Sequence, residues 1–115
     1  FITNQQMINI IMTKQLIIKE LIMAKIYVVN SKSQADFCAY KVNSQSQADL
    51  LVYVVSSQSQ SKGDEKWYYV NSRSQADSKI FWVNSRSQGD INIYFVNSQS
   101  QAKWKRGHKL QRRIG

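Results

Sequence analysis

The sequence predicts a small all-β domain of mostly short strands, built from six repeats. Three observations carry that prediction. The phrase Val-Asn-Ser-x-Ser-Gln-Ala-Asp starts at Val29, Val42 and Val70, and recurs with substitutions from Val55, Val83 and Val96. These anchoring valines keep a thirteen-residue period, broken only between Val55 and Val70, where the step is longer by two. Each valine ends a run of β-branched and aromatic residues too short for a buried helix. The chain of 115 residues has no proline, so its bends fall on Asn, Asp, Ser and four glycines.

Residues 1–23 are largely apolar, with Met7, Ile10, Ile11, Leu16, Ile17 and Leu21 among them. Lys14, Lys19 and Glu20 interrupt the run, which argues against a transmembrane span. Gln5, Gln6, Asn9 and Thr13 share one helical stripe. The expectation over residues 1–23 is an amphipathic N-terminal helix or a flexible extension, and residues 1–22 are dispensable if Met23 is the true start.

Six strands are expected next, at Ile26-Tyr27-Val28-Val29, Ala39-Tyr40-Lys41-Val42, Val52-Tyr53-Val54-Val55, Trp67-Tyr68-Tyr69-Val70, Ile80-Phe81-Trp82-Val83 and Ile93-Tyr94-Phe95-Val96. An aromatic always stands two places before the valine, and the period of a strand puts both on one face. That invariant face is the expected core. The other face (Val28, Lys41, Val54, Tyr69, Trp82, Phe95) is apolar but more variable, so cover on both sides is expected.

Between strands, Asn-Ser and Ala-Asp read as bends flanking a brief extended piece. The variable Lys, Gln or Arg should face water, and each Asp should bind backbone N–H groups. The two extra residues fall in Ser61-Lys62-Gly63-Asp64-Glu65-Lys66, with three repeats on either side. A duplicated triplet with a pseudo-two-fold is the natural inference. Similar copies at this spacing specify architecture, because stacked units need one solution at each level.

The aromatic-x-Val strand followed by Asn-Ser-x-Ser-Gln, at Asn30, Asn43, Asn71, Asn84 and Asn97, resembles the septoil-knot domain family over residues 24–103. The resemblance implies a deeply knotted, pseudo-symmetric, mostly β fold whose chain forms a torus knot of seven crossings. Ser56 and the Gly63 loop depart from the pattern. The family brings no established activity.

The net charge of +9 is concentrated at the C-terminus. Residues 1–102 hold ten basic and seven acidic residues, whereas 103–115 hold six basic residues and no acid. Residues 104–115 are therefore expected to form a basic tail. Lys103, Trp104, Lys105, Arg106, Lys109, Arg112 and Arg113 are the candidate polyanion contacts, the cations for phosphates and Trp104 for base stacking. A solvated terminus is the plainer expectation, and an anionic membrane surface is a weaker one. Arg73 and Arg86 could extend the basic track onto the body.

One His and one Cys, far apart, form no metal-site spacing, and no acid–base–nucleophile constellation can be assembled around His108. Cys38, between Phe37 and Ala39, reads as a buried small apolar residue. It leaves the compartment open, with the cytoplasm favoured. The expectation is a monomeric, non-enzymatic scaffold or interaction domain without cofactor, resistant to pulling and proteolysis. Nucleic-acid binding through the tail is the alternative.

Overall fold

The computed structural model describes residues 23–115; the apolar segment before them, with its expected helix, lies outside the described residues. Seven strands follow: β1 (Ala24–Val28), β2 (Phe37–Lys41), β3 (Leu50–Val54), β4 (Lys66–Tyr69), β5 (Ser78–Trp82), β6 (Ile91–Phe95) and β7 (Lys103–Trp104). No α-helix occurs among the described residues. The expected brief extended pieces are instead single 3-10 turns, from Lys32–Gln34 in the first repeat to Gln99–Gln101 in the last. In each, the preceding Ser is extended and its hydroxyl lies within 3.2–3.4 Å of the next serine's. The serines thus bond each other at the surface.

β1 to β6 close into a parallel barrel in the ring order β1-β5-β2-β6-β3-β4, with β4 paired back onto β1. The two triplets interleave strand by strand. From β1 to β2 and from β2 to β3 the chain moves two places round the ring; from β3 to β4 it moves one. Steps of two in a ring of six would return the fourth strand to the place of the first. A single odd step is therefore obligatory, and it coincides with the longer interval between Val55 and Val70. Gly63, at φ 84 inside that interval, supplies the left-handed backbone that the turn needs.

Neighbouring strands are offset by two places of the repeat. Ile26 lies opposite Ser78, Ile80 opposite Phe37, Ala39 opposite Ile91, Ile93 opposite Leu50, Val54 opposite Trp67, and Trp67 opposite Ala24. These six offsets of two add round the closed barrel as its shear, so equivalent residues of all repeats stand at one height. An even offset also keeps every inward side chain inward.

The expected aromatic–valine face is an outer core, where Val29, Val42, Val55, Val83 and Val96 are buried, and a further core fills the barrel. Ile26, Ala39, Val52, Trp67, Ile80 and Ile93, three places before each valine, are fully buried and fill the barrel. Below them Ala24, Phe37, Leu50, Ser78 and Ile91 form a second buried layer. The invariant aromatics point outward and are half-buried. Each crossing turn runs over the strand it skips: the Lys32–Gln34 turn over β5, Arg73–Gln75 over β1, Arg86–Gln88 over β2 and Gln99–Gln101 over β3. The outer cluster of Val42, Ala48, Leu51 and Val96 with Tyr40, Tyr53 and Tyr94 is this second layer of packing. Aromatic and valine are invariant because each meets the same crossing turn. Interior residues vary because six of them share one volume.

Residues 29–36 suffice to join β1 to β2 without a helix. A five-residue strand is only about 17 Å long, so the return path is short. Its end is fastened by the aspartates. Asp36 N–H donates to the Lys79 carbonyl at 2.7 Å while its carboxylate accepts from Lys79 N–H at 2.8 Å. Asp49 pairs in the same way with Asn92, Asp77 with Lys25 and Asp90 with Cys38. Each side chain thus mimics one more residue of sheet ladder, worth about 1.5–3 kcal/mol for a hydrogen bond to a charged group. The expected role of Asp holds. Lys62 and Lys103 replace Asp where the chain instead turns antiparallel, Lys62 onto Met23 and Lys103 onto Leu51 of β3.

Candidate functional site

The barrel has two unlike ends. At the lower end residues 104–115, expected to be solvated, fold back across the barrel. Ile114 is fully buried in the core, with Leu110 and Trp104 packed beside it, and the Ser78 hydroxyl donates to the Ile114 carbonyl. Asp64, itself buried, receives the backbone N–H groups of Arg112, Ile114 and Gly115 and the indole N–H of Trp104. Arg112 takes φ 65, which turns the chain so that Ile114 points inward. No spacing rule links Asp64 to residues 48 to 51 positions away, so the sequence held no signal for this plug.

The candidate polyanion contacts divide accordingly. Lys103, Lys105, Arg106, Lys109, Arg112 and Arg113 are exposed on this docked segment, and Arg106 reaches the Asp49 carboxylate at 3.4 Å. Trp104 is not available for base stacking. Its ring lies against His108 at 5.8 Å and 21°, and its N–H is committed to Asp64. His108 is packed rather than solvated: Nδ1 accepts from Leu110 N–H, leaving Nε2–H to donate to the Asp90 carbonyl. Cys38 is buried on the outer face of β2, as its neighbours suggested.

The upper end is open. Val28, Lys41, Val54, Tyr69, Trp82 and Phe95, the variable face of the sequence reading, form its rim one layer above the core. Val28, Val54 and Tyr69 remain about 40% exposed. A shallow groove of about 510 Å³ lies between Tyr40, Lys41, Tyr69, Trp82, Asn84 and Phe95. Its floor is an aromatic cluster: Trp82 and Phe95 stand 5.8 Å apart, and both contact Trp67 beneath. Lys41 Nζ sits 5.7 Å from the Phe95 ring centre, a cation–π contact at the edge of the groove. Burial pushes the Tyr69 hydroxyl up to about 12, so it stays a neutral donor and acceptor across the physiological range. Among the described residues the rim combines stacking surface, one cation and amide groups, and contains no acid or nucleophile poised by a base. Period alone identified its residues as one face, but could not tell a rim from a covered sheet.

Among the described residues no helix is long and apolar enough to cross a membrane. A family model for the 7(1) septoil knot domain matches residues 23–105, which hold the whole barrel and β7. No curated protein and no solved structure matches the chain.

Proposed function

The chain belongs to the septoil knot domain family, and from this premise we propose that it is a knotted, non-enzymatic scaffold that presents binding surfaces on a body hard to unravel. The observation that carries the reading is the interleaving of the triplets. Every strand from β1 to β6 is held between two others, and at every junction its neighbours come from the other circuit of the chain. No barrel strand can peel from an edge, and the outer turns must be displaced before the strands beneath them separate. A chain wound in this way into a knot of seven crossings cannot be extracted by fraying. Pulling tightens it. The expected result is that an unfoldase-coupled protease engaged through an added C-terminal degron stalls and releases a protected fragment spanning about residues 23–105. Processive degradation at the rate of an unknotted barrel of similar thermal stability sinks the reading.

A second reading, polyanion binding through the C-terminal segment, is supported by its six exposed cations, of which only Arg106 is engaged with a carboxylate among the described residues. Truncation is the wrong test, because it would withdraw Ile114 from the core. Replacing Lys105, Lys109 and Arg113 by Gln keeps the plug. On this reading it lowers the salt dependence of single-stranded RNA binding by about two in slope. An unchanged slope removes the idea.

A further inference from the structure

The interleaved winding sorts charge round the barrel in a way the sequence order hides. The variable residue of the crossing turn reads Lys32, Gln45, Gln58, Arg73, Arg86, Gln99 along the chain. In the ring, the Arg73, Lys32 and Arg86 turns cross β1, β5 and β2, which are consecutive strands. The Gln99 and Gln58 turns lie against β3 and β4, and the Gln45 turn joins β2 to β3, whose shared neighbour is β6. Three cations therefore stand side by side at one height, and three glutamines occupy the other half. Strand spacing and the two-place offset put successive turns about 8 Å apart.

The strands repeat the pattern. Lys66, Lys25, Lys79 and Lys41 belong to β4, β1, β5 and β2, whereas β3 and β6 carry no cation. Lys62 lies beside the start of β1. None of these cations is in an ion pair among the described residues. The acids on this side are Asp36, Asp77, Asp90 and Glu65; the three aspartates have their carboxylates bonded to the Lys79, Lys25 and Cys38 N–H groups. The groove at the rim spans this arc, with Tyr40 and Lys41 on β2 and Trp82 on β5, and with Tyr69 and Phe95 on the flanking strands β4 and β6.

The geometry points to a binding surface for single-stranded nucleic acid on this half of the barrel, distinct from the C-terminal segment. Phosphates lie along Arg73, Lys32 and Arg86, and a base stacks in the groove against Trp82, Tyr69 and Phe95. A row of cations beside an aromatic platform is what a flexible polyanion with flat bases fits; a duplex offers the phosphates without the base face. The cation row and the groove occur together only because the second circuit of the chain fills the gaps of the first.

The repeats themselves supply conservative variants for the test. Gln already occupies the turn position in three repeats, and Val the rim position in two. Anisotropy of a fluorescein-labelled oligouridine is measured with the full chain over a salt series. K32Q/R73Q/R86Q is expected to weaken binding at least tenfold and to lower the salt slope by about two. Adding Q45K/Q58R/Q99R to that variant restores net charge on the wrong half and is expected not to restore binding. Y69V/F95V is expected to cost about tenfold on the single strand and nothing on a duplex of the same length. The proposal is overturned by full rescue in the swapped variant, by equal affinity for duplex and single strand, or by binding to phosphatidylserine vesicles without binding to RNA. Loss of binding in K105Q/K109Q/R113Q alone overturns it as well, and supports the C-terminal segment instead.

Discussion

Deleting Lys62 and Gly63, so that the step from Val55 to Val70 matches that between the other valines, abolishes cooperative folding. The deletion makes the sequence more regular, yet the regular sequence has no closed solution. With every step equal to two places, β4 is directed to the ring position that β1 already fills, and β5 and β6 follow onto β2 and β3. Three gaps in the barrel would remain, each exposing unpaired strand edges on two sides. The deletion also displaces Asp64, which anchors Arg112, Ile114 and Gly115. The check is a heteronuclear NMR spectrum with a denaturant titration, run beside Lys62→Gly. That control keeps the loop length, removes only an exposed side chain, and is expected to melt within about 1 kcal/mol of the parent. A deleted chain with the parent's spectrum and midpoint would show that loop length does not set strand order.

Trp67→Ala is the largest single-residue loss expected, about 3–5 kcal/mol. Trp67 has no exposed surface and touches Trp82, Phe95 and Tyr69 above it; its N–H donates to the Asp64 carbonyl at 2.8 Å. Its layer holds three Ile, one Val, one Ala and this Trp. β4 and β2 face each other across the ring, so Ala39 makes the room that Trp67 takes. Alanine at both places would leave a void through the middle of the barrel, in a molecule whose total stability is about 5–15 kcal/mol. Trp67→Ile, the residue of three other repeats, should cost less, and Ala39→Val should cost more in the parent than in Trp67→Ile. The measurement is the midpoint of chemical denaturation for the parent, Trp67→Ala, Trp67→Ile, Ala39→Val and the Ala39→Val/Trp67→Ile double variant. Equal effects of Ala39→Val in both backgrounds would refute the shared volume.

The same arrangement explains where the sequence misled. Invariance of the aromatic and the valine suggests the barrel interior, but in the folded chain it marks one contact made repeatedly, strand against turn. The residues that fill the barrel vary because Trp67 in one repeat demands Ala39 in another, a correlation invisible within any single copy. The fate of residues 104–115 was hidden for a related reason. Their cations are all exposed, as composition suggested, while Leu110 and Ile114 are apolar positions too sparse to signal a plug until a barrel end exists for them to fill.

From the sequence alone came the repeat and its limits, the strands that end at each valine, the bends beyond them, the backbone-bonding role of Asp36, Asp49, Asp77 and Asp90, and the burial of Cys38. These follow from interactions between near neighbours in the chain, which a single repeat contains complete. Ring order, the inside and outside of each strand, the closed lower end and the gathering of Lys32, Arg73 and Arg86 were decided only by tertiary structure. Each depends on which distant strands become neighbours, and that was fixed by one odd step, at Gly63, in an otherwise even winding.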